Sequence, residues 1–438
     1  MNRRNSVAWG FLTLILAGAF LLSCPFARTA GAFGDFPSAL FTACSAVCVT
    51  GLTVVDVAAE YTRAGQWILL ALVELGCLGL MTFGTFLMIA IGRRLSLSRE
   101  FSLMNAYGVA EVKGLKGLIV WVIGSMAIIE GVGTLLLYHR FQDWYLSFFY
   151  AVMSFCNAGF SLFPDSLARF AADPYVLMIL AAETILGGIG FLVIYNLCTF
   201  WMRRKGTETK GRLSLHTAVV LRFTLYLLIA AFAIFLLLEW KGSLAEFPPL
   251  QKLYIAFYQA VTPRTCGFSV VPTEALTPLT RLIYEVLMFI GGAPGSAAAG
   301  IKVTTFAVLI YTLRALCRGD RETIISHRAI TFDTVRESLV IFMALIMLVI
   351  FTMGALLLTE AGNTALTTNA LFFEAVSAIT TTGLSCGDVA ASLTPAGRIV
   401  VMLAMFFGRL GALSVVLMIG EREVVRHVRF PSGELVVG

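Results

Sequence analysis

Charged residues are scarce in this 438-residue chain. Asp, Glu, Lys and Arg together make up 13% of it, whereas a soluble domain usually carries about 25%. Hydrophobic residues make up 58%, and the mean hydropathy is +0.87. This composition excludes a soluble globular protein and predicts an all-α polytopic membrane protein. Apolar stretches close to the roughly 20 residues that cross a bilayer recur along the chain, at 7–24, 67–91, 118–138, 176–201, 219–238, 339–358 and 399–419.

Patterns that would indicate metal, disulfide or catalytic chemistry are also missing. The nine cysteines include no CxxC pair, and the four histidines lie far apart. We therefore expect neither a disulfide framework nor a zinc site, and interpret most cysteines as small packing residues. No nucleophile–base motif stands in the apolar stretches, so the chain is not expected to be an enzyme.

The positive charge is unevenly distributed. The net charge is +6, and most of the 32 Lys and Arg gather in alternate loops. By the positive-inside rule this indicates membrane topology rather than a nucleic-acid partner. The first apolar stretch resembles a signal peptide, but no folded extracellular domain follows it, so we expect a retained helix. Both termini and the basic loops are then cytoplasmic: 3–4, 93–116, 203–212, 314–336 and 422–429.

A short pattern occurs four times on the opposite side of the predicted membrane. Each copy has an aromatic residue ten positions before a glycine, then small or hydroxylated residues, the glycine, and a large apolar residue. Internal repeats of this kind are typical of membrane proteins built on pseudo-symmetry. The four glycines follow one another at nearly equal intervals: Gly51, Gly159, Gly267 and Gly383.

Within each period the segments come in the same order: an apolar helix, a short helix, the glycine-bearing segment, a polar stretch and a second apolar helix. This order predicts four helix–pore-loop–helix repeats, with eight transmembrane helices and four pore half-helices around one pseudo-fourfold pore. The half-helices are expected to begin near Asp35, Gln142–Asp143, Pro248–Pro249 and Thr368. The repeats are expected to span 1–94, 95–205, 206–320 and 321–438.

Four glycine-bearing segments that meet on one axis could bind a dehydrated cation. Non-helical backbone at membrane depth is tolerated only where it is buried in protein or lines a water-filled cavity. There, carbonyl oxygens can replace the hydration shell of an alkali cation, and glycine permits the positive φ that turns them inward. A lone glycine would more simply be a helix C-cap or a turn, but four in register favour a selectivity filter. The predicted filter residues are Val49, Thr50, Gly51, Asn157, Ala158, Gly159, Thr265, Cys266, Gly267, Thr381, Thr382 and Gly383.

These segments resemble the Trk/Ktr/HKT superfamily of potassium transporters, and most of all its bacterial KtrB-type membrane subunit. The matching motifs stand at 45–52, 157–160, 265–268 and 377–384, while Met153 and Pro263 replace the family's common Ser and Thr. The resemblance implies one filter glycine per repeat, potassium as substrate, and a homodimer with one pore per protomer in the bacterial plasma membrane. It also implies a cytoplasmic RCK-type (KTN-type) nucleotide-binding ring. Because this chain has no Rossmann-like segment, that ring would be a separate polypeptide, and we expect no cofactor in the chain itself.

The second helix of the third repeat is interrupted by residues 291–302, Gly-Gly-Ala-Pro-Gly-Ser-Ala-Ala-Ala-Gly-Ile-Lys. The clustered Gly and Pro favour a broken helix over a small-residue packing face. The segment resembles the intramembrane gating loop of the family, which lies under the filter. The predicted gate residues are Gly291, Gly292, Pro294, Gly295, Ser296, Gly300, Lys302 and Arg409. Residues 429–438 resemble the KtrB-type tail implicated in dimer contact.

Three basic residues fall at membrane depth, where charge is costly. Lys302 would repel cations in the closed state, and Arg409 would hold the gating loop through its backbone carbonyls. Arg264 would either tune cation entry or face the extracellular vestibule. The alternative for Lys302 and Arg409 is snorkelling, or pairing with a buried carboxylate such as Glu74, Glu130, Glu183 or Glu285.

We therefore expect potassium uptake through a channel-like pore that a separate subunit regulates. A sodium- or proton-coupled potassium symporter, with intramembrane carboxylates carrying the coupling, stays open as the alternative. Sodium is also a candidate activator.

Overall fold

A computed structural model describes residues 6–90, 115–204, 213–320 and 322–411. The described chain is mostly helical, as the composition predicts, with one antiparallel hairpin formed by β1 (Ile324–Ile325) and β2 (Arg328–Ala329). Several predictions fall outside these residues: the basic segments 3–4, 205–212 and 422–429, most of 93–116, and the tail 429–438.

The helices of the first half of the chain are α1 (Ser6–Ser23), α2 (Phe36–Val47), α3 (Val57–Glu60), α4 (Arg63–Ala90), α5 (Leu115–Phe141), α6 (Trp144–Phe155), α7 (Pro174–Ile189) and α8 (Phe191–Arg204). Those of the second half are α9 (Leu215–Glu239), α10 (Pro249–Val261), α11 (Pro278–Phe289), α12 (Val303–Arg318), α13 (Phe332–Thr359), α14 (Thr368–Ile379), α15 (Val389–Ser392) and α16 (Pro395–Leu410). One-turn 3₁₀ helices occur at Pro25–Ala27, Ala168–Phe170 and Thr273–Ala275.

Four short helices, α2, α6, α10 and α14, precede the four repeated glycines. Their first turns are capped much as the sequence predicts, because Asp35 accepts from the backbone of Ser38, and Asp143 from those of Tyr145 and Leu146. The third begins at Pro249, where a missing N–H costs nothing. The cap of the fourth is Thr367, one residue before the predicted position.

The short helices form the centre of the hydrophobic core. The aromatic residue that opens the repeated pattern is buried completely or almost completely in three copies, as Phe41, Phe149 and Phe373. In the third copy the next residue, Tyr258, takes the fully buried place. The repeated aromatic position therefore anchors each short helix in the core.

Three described helices are long and apolar enough to cross a membrane: Val120–Phe141, Leu215–Glu239 and Phe332–Thr359. Two further helices, Pro174–Ile189 and Phe191–Trp201, are together long and apolar enough for a fourth span. They meet at an angle of 97°, so they would form a broken span. The eight predicted spans thus stay a prediction, because several of the other apolar helices are shorter or interrupted.

The second apolar helices of the four repeats are interrupted or ended at a Gly-x-x-Gly pattern, at 76–79, 187–190, 292–295 and 408–411, whereas the sequence predicted a break only in the third repeat. The second glycine of each pattern has positive φ: 69° at Gly79, 86° at Gly190, 70° at Gly295 and 82° at Gly411. A non-glycine residue would be strained in this backbone conformation, and a helix cannot continue through it. Each candidate second helix is therefore broken or ended at a corresponding glycine.

The first glycine of the pattern allows close packing in three repeats. A Cβ at Gly76, Gly187 or Gly408 would overlap the carbonyl oxygen of the last residue of the preceding short helix. Those carbonyls belong to Val47, Phe155 and Ile379. Glycine at these positions therefore lets the second helix lie directly against the end of the short helix.

We predict that Gly187→Ala destabilises the protein by about 1–3 kcal/mol or more, since a methyl group that meets backbone cannot be relieved by a rotamer change. Gly124→Ala is the matched control, because it lies on a neighbouring helix with nothing within 4 Å of its Cβ position. Thermal unfolding of the detergent-purified protein, followed by gel filtration, measures the difference. Equal melting temperatures for the two variants would contradict the packing argument.

Candidate functional site

The four repeated glycines make a closed series of backbone contacts, here called the glycine ring (Gly51, Gly159, Gly267 and Gly383). A Cβ on Gly51 would overlap the carbonyl oxygen of Ala158, and one on Gly159 would lie 2.9 Å from Cα of Gly267. A Cβ on Gly267 would lie 2.8 Å from the oxygen of Thr382, and one on Gly383 would overlap that of Thr50. The four segments therefore touch one another in chain order, and the fourth closes on the first.

Each segment has a second residue with positive φ, two positions before its glycine. These residues are Val49 (54°), Asn157 (57°), Thr265 (70°) and Thr381 (48°), while the ring glycines have φ between 67° and 92°. Alternation between positive and negative φ reverses every second peptide plane, so successive carbonyls can face one side instead of alternating as in a strand. From the sequence, positive φ is expected only at the glycines.

Three of the segments are tied to their short helices by the same backbone hydrogen bond. Thr50 N donates to Ser45 O at 2.8 Å, Ala158 N to Met153 O at 2.9 Å, and Thr382 N to Ser377 O at 2.9 Å. Because this bond uses only backbone, Met153 can form it, although Ser45 also accepts from Gly51 N through its hydroxyl at 3.0 Å. The third segment differs. Cys266 N donates at 3.1 Å to Thr262 O, the carbonyl of the residue before Pro263, so this bond spans four residues and not five.

The side chains of the predicted filter are buried almost completely, with none more than 1% exposed. Three of its hydroxyl oxygens, those of Thr50, Thr265 and Thr381, have no hydrogen-bond partner among the described residues. A buried hydroxyl without a partner is costly, so oxygen atoms at this place are suited to an external ligand. Carbonyl and hydroxyl oxygens are the ligands that hard cations prefer.

The break segment, residues 290–302, joins α11 to α12 as a loop closed at its base. Gly291 N donates to Ile301 O and Ile301 N to Phe289 O, both at 3.0 Å. Gly291 is required here, because a Cβ would overlap the oxygen of Ala299. Val303 N donates to Gly292 O, also at 3.0 Å, and completes the closure.

The break segment is also bound to the interruption between α7 and α8. Ala293 N donates to Gly188 O at 2.9 Å, Ala297 N to Gly187 O at 3.2 Å, and Phe191 N to Gly295 O at 3.1 Å. The predicted broken helix at 291–302 is therefore present, and its backbone groups are paired with a second broken helix. Within the segment, Ser296 Oγ donates to Ala293 O at 2.6 Å, next to Pro294, and Gly300 has a φ of 69°.

Three cations, of which Arg264 is buried and Lys302 and Arg409 are half-buried, donate to carbonyl oxygens of the break segment. Arg409 donates to Ala297 O at 2.6 Å and also to Gly76 O at 2.7 Å. Lys302 Nζ donates to Ala298 O at 2.6 Å. Within the described ranges, neither cation forms an ion pair with a carboxylate. Arg409 thus contacts two backbone carbonyls and has no carboxylate partner among the described residues.

Arg264 is the third of these cations, and its surroundings were not foreseen. Its side chain is 7% exposed and donates to Gly291 O at 3.0 Å and to Thr224 O at 3.5 Å. It therefore points toward the start of the break segment. Sequence alone offered no signal for this contact, because Arg264, Thr224 and Gly291 lie on separate elements that are far apart in the chain.

Comparison with known proteins gives consistent matches along the whole chain. Residues 15–424 match the TrkH family, described as a cation transport protein. The chain is 34% identical to the Ktr system potassium uptake protein B of Bacillus subtilis, over 99% of this chain and 96% of that protein. It is 32% identical to the potassium/sodium uptake protein NtpJ of Enterococcus hirae, again over 99% and 96% of the two chains.

A solved structure shares the fold. The crystal structure of the potassium transporter TrkH from Vibrio parahaemolyticus aligns with a TM-score of 0.74 at 16% identity, over 96% of this chain and 86% of that chain. The fold similarity and the match over residues 15–424 agree with the resemblance predicted from the repeated motifs. The chain therefore belongs to the TrkH family of cation transport proteins.

Proposed function

We propose that this protein takes up potassium across the bacterial plasma membrane through a channel-like pore at the glycine ring. Four repeats, residues 1–94, 95–205, 206–320 and 321–438, would supply eight membrane spans and four pore half-helices, with both termini cytoplasmic. The observation that carries the proposal is the closed ring of glycine backbone contacts, together with threonine hydroxyls in the same segments that have no partner among the described residues.

Potassium is the proposed substrate because the relatives from Bacillus subtilis and Vibrio alginolyticus are named as potassium uptake proteins. The short helices α2, α6, α10 and α14 all end at the candidate filter, so the partial negative charge of each C-terminus would favour a cation there. The twelve predicted filter residues would bind it mainly through backbone carbonyls.

The break segment is proposed as the gate. Arg409 joins it to the first repeat at Gly76, Arg264 holds its start, and its own last residue, Lys302, donates to Ala298 O within it. Because backbone and side-chain hydrogen bonds both hold the segment, opening requires several bonds to be exchanged together. A homodimer and a separate RCK-type nucleotide-binding ring are the proposed partners that would drive this exchange.

Coupled symport is the second candidate, favoured by two observations. NtpJ of Enterococcus hirae is named for both potassium and sodium, and the described spans contain the buried carboxylates Glu130 and Glu183. Ionisable groups inside membrane segments commonly mark ion or proton pathways.

Growth and flux together test the proposed function. Expression in a bacterium that lacks its own potassium uptake should restore growth at limiting potassium, and proteoliposomes should take up radioactive rubidium. Uptake that is unchanged when sodium is replaced and the proton gradient collapsed supports the channel-like mechanism, whereas loss in either condition supports symport. Absence of uptake by folded, reconstituted protein would contradict both.

Serine substitution at the ring should weaken cation selection. Gly267→Ser and Gly383→Ser force an L side chain into positive φ, at a cost of about 1–2 kcal/mol, and into backbone of the adjacent segment. We expect potassium-over-sodium discrimination to fall about tenfold, because a loss of about 1.4 kcal/mol in the binding free energy of potassium corresponds to a factor of ten. The control is Gly354→Ala, which has nothing within 4 Å. Unchanged discrimination in both serine variants would overturn the filter assignment.

Removal of the Arg409 guanidinium should release the break segment. Arg409→Gln loses the bonds to Ala297 O and Gly76 O, and we expect higher flux in the absence of any regulatory subunit. Arg398→Gln, on the same helix, is the control because Arg398 donates to Ala391 O, away from the break segment. Rubidium influx into proteoliposomes containing only this chain is the measurement. Equal influx in wild type and Arg409→Gln would show that Arg409 does not restrain the gate.

A further inference from the structure

A mixed group of carboxyl and thiol side chains lies beside the second glycine-bearing segment. The ligand atoms of Glu74, Glu130 and Cys156 all lie within 4.8 Å of one another. The Cys77 thiol adjoins that of Cys156. Glu130 and Cys156 are buried, whereas Glu74 is partly exposed. These four residues are here called the Glu–Cys cluster.

The cluster draws on three separate elements. Glu74 and Cys77 stand three residues apart on α4 and so share one face of that helix. Glu130 comes from α5, and Cys156 directly follows the last residue of α6. A ligand bound here would join the second helix of the first repeat to two elements of the second repeat.

The spacing of the donor atoms fits a small tetrahedral ion. Cys156 Sγ and Glu130 Oε1 lie 3.9 Å apart. Zinc bonds of about 2.3 Å to sulfur and about 2.0 Å to oxygen, at a tetrahedral angle, place such donors roughly 3.5 Å apart. The observed separation is therefore within reach of a small side-chain rotation.

The surroundings carry more acidic groups than basic ones. The carboxyl groups of Glu74 and Glu130 lie within hydrogen-bond reach of each other, and Glu183 is near enough to interact with Glu130. Glu183 abuts Gly133, one turn along α5 from Glu130, and it is only 4% exposed. Its Oε2 atom has no hydrogen-bond partner among the described residues. This unpartnered buried carboxylate oxygen adds to the excess of acidic groups beside the cluster.

The neighbouring cation does not neutralise these carboxylates. Arg409 lies close to Cys77 and Cys156, but its hydrogen bonds go to the carbonyls of Gly76 and Ala297. The ion pairs formed between described residues include neither Glu74, Glu130 nor Glu183. The C-terminal end of α6 at Cys156 adds further partial negative charge.

We propose that the Glu–Cys cluster binds one divalent transition-metal cation of the zinc class. Glu74, Glu130 and Cys156 are the ligands. Thiolate together with carboxylate suits zinc, whereas potassium and sodium take oxygen ligands. Each thiol that binds the metal releases its proton to solvent, so binding weakens as the pH falls. The bound ion would fix α4, α5 and the end of α6 beside the glycine ring.

Metal content measured on the intact chain tests this site without reference to transport. The purified protein is stripped with a chelator, incubated with Zn²⁺, passed through gel filtration, and analysed by elemental mass spectrometry. We expect one Zn²⁺ per chain. With Cd²⁺ instead, an ultraviolet thiolate-to-metal charge-transfer band should appear, and it should be lost in Cys156→Ser.

Ligand variants and matched controls complete the experiment. Glu130→Gln and Cys156→Ser should bind Zn²⁺ at least about tenfold more weakly. Glu74→Gln, at a partly exposed position, is the variant to use if either of these fails to fold. Glu285→Gln and Cys198→Ser alter a carboxylate and an exposed thiol that are not members of the cluster and should leave binding unchanged.

Two results would overturn the proposal. One is a folded wild-type chain that retains no Zn²⁺, in which case a proton shared between Glu74 and Glu130 satisfies the carboxyl pair. The other is retention of Zn²⁺ with unchanged affinity in all the folded ligand variants, which would place the metal elsewhere. Neither result depends on whether the protein transports potassium.

Discussion

The need to satisfy non-helical peptide groups within apolar surroundings is the constraint on which the rest of this structure depends. Backbone can leave a helix at membrane depth only if its carbonyls and N–H groups find partners in protein or at an aqueous cavity. The chain meets this requirement at two levels, that is, in two sets of non-helical segments. One set forms the glycine ring, and the other consists of the interruptions in the second helices of the repeats. At both levels the segments approach so closely that only glycine fits at the contact.

The two levels are joined by the short helices. Each short helix ends at a ring segment, and in three repeats the first glycine of Gly-x-x-Gly packs against its last carbonyl. A shift of a second helix would therefore press directly on the backbone that shapes the ring. This packing gives a physical route by which a movement near the break segment could reach the candidate filter. Tightly packed backbone is hardly compressible, so a shift of one segment moves the segment that it touches.

The third repeat differs from the others in each respect that bears on regulation. Its ring segment uses a different backbone hydrogen bond at Cys266, and its second helix contains the long break segment. Three cations converge on the carbonyls of that segment, and Arg409 extends the connection to the first repeat at Gly76. Carbonyl partners stabilise these charges away from water, since no carboxylate of the described residues forms an ion pair with them. The arrangement concentrates the proposed gating in one quarter of the molecule.

The sequence by itself determined the helical membrane class, the four glycine positions, the start of each short helix to within a residue, and the break at 291–302. These features are local: they depend on hydropathy, on capping residues near Asp35 and Asp143, and on residue types that end a helix. Tertiary structure decided the rest. The direction of Arg264, the positive φ at Val49 and its equivalents, and the meeting of Glu74, Glu130 and Cys156 all depend on which helices pack together. Residues that come together from separate helices leave no periodic trace along the chain, so only the folded structure places them.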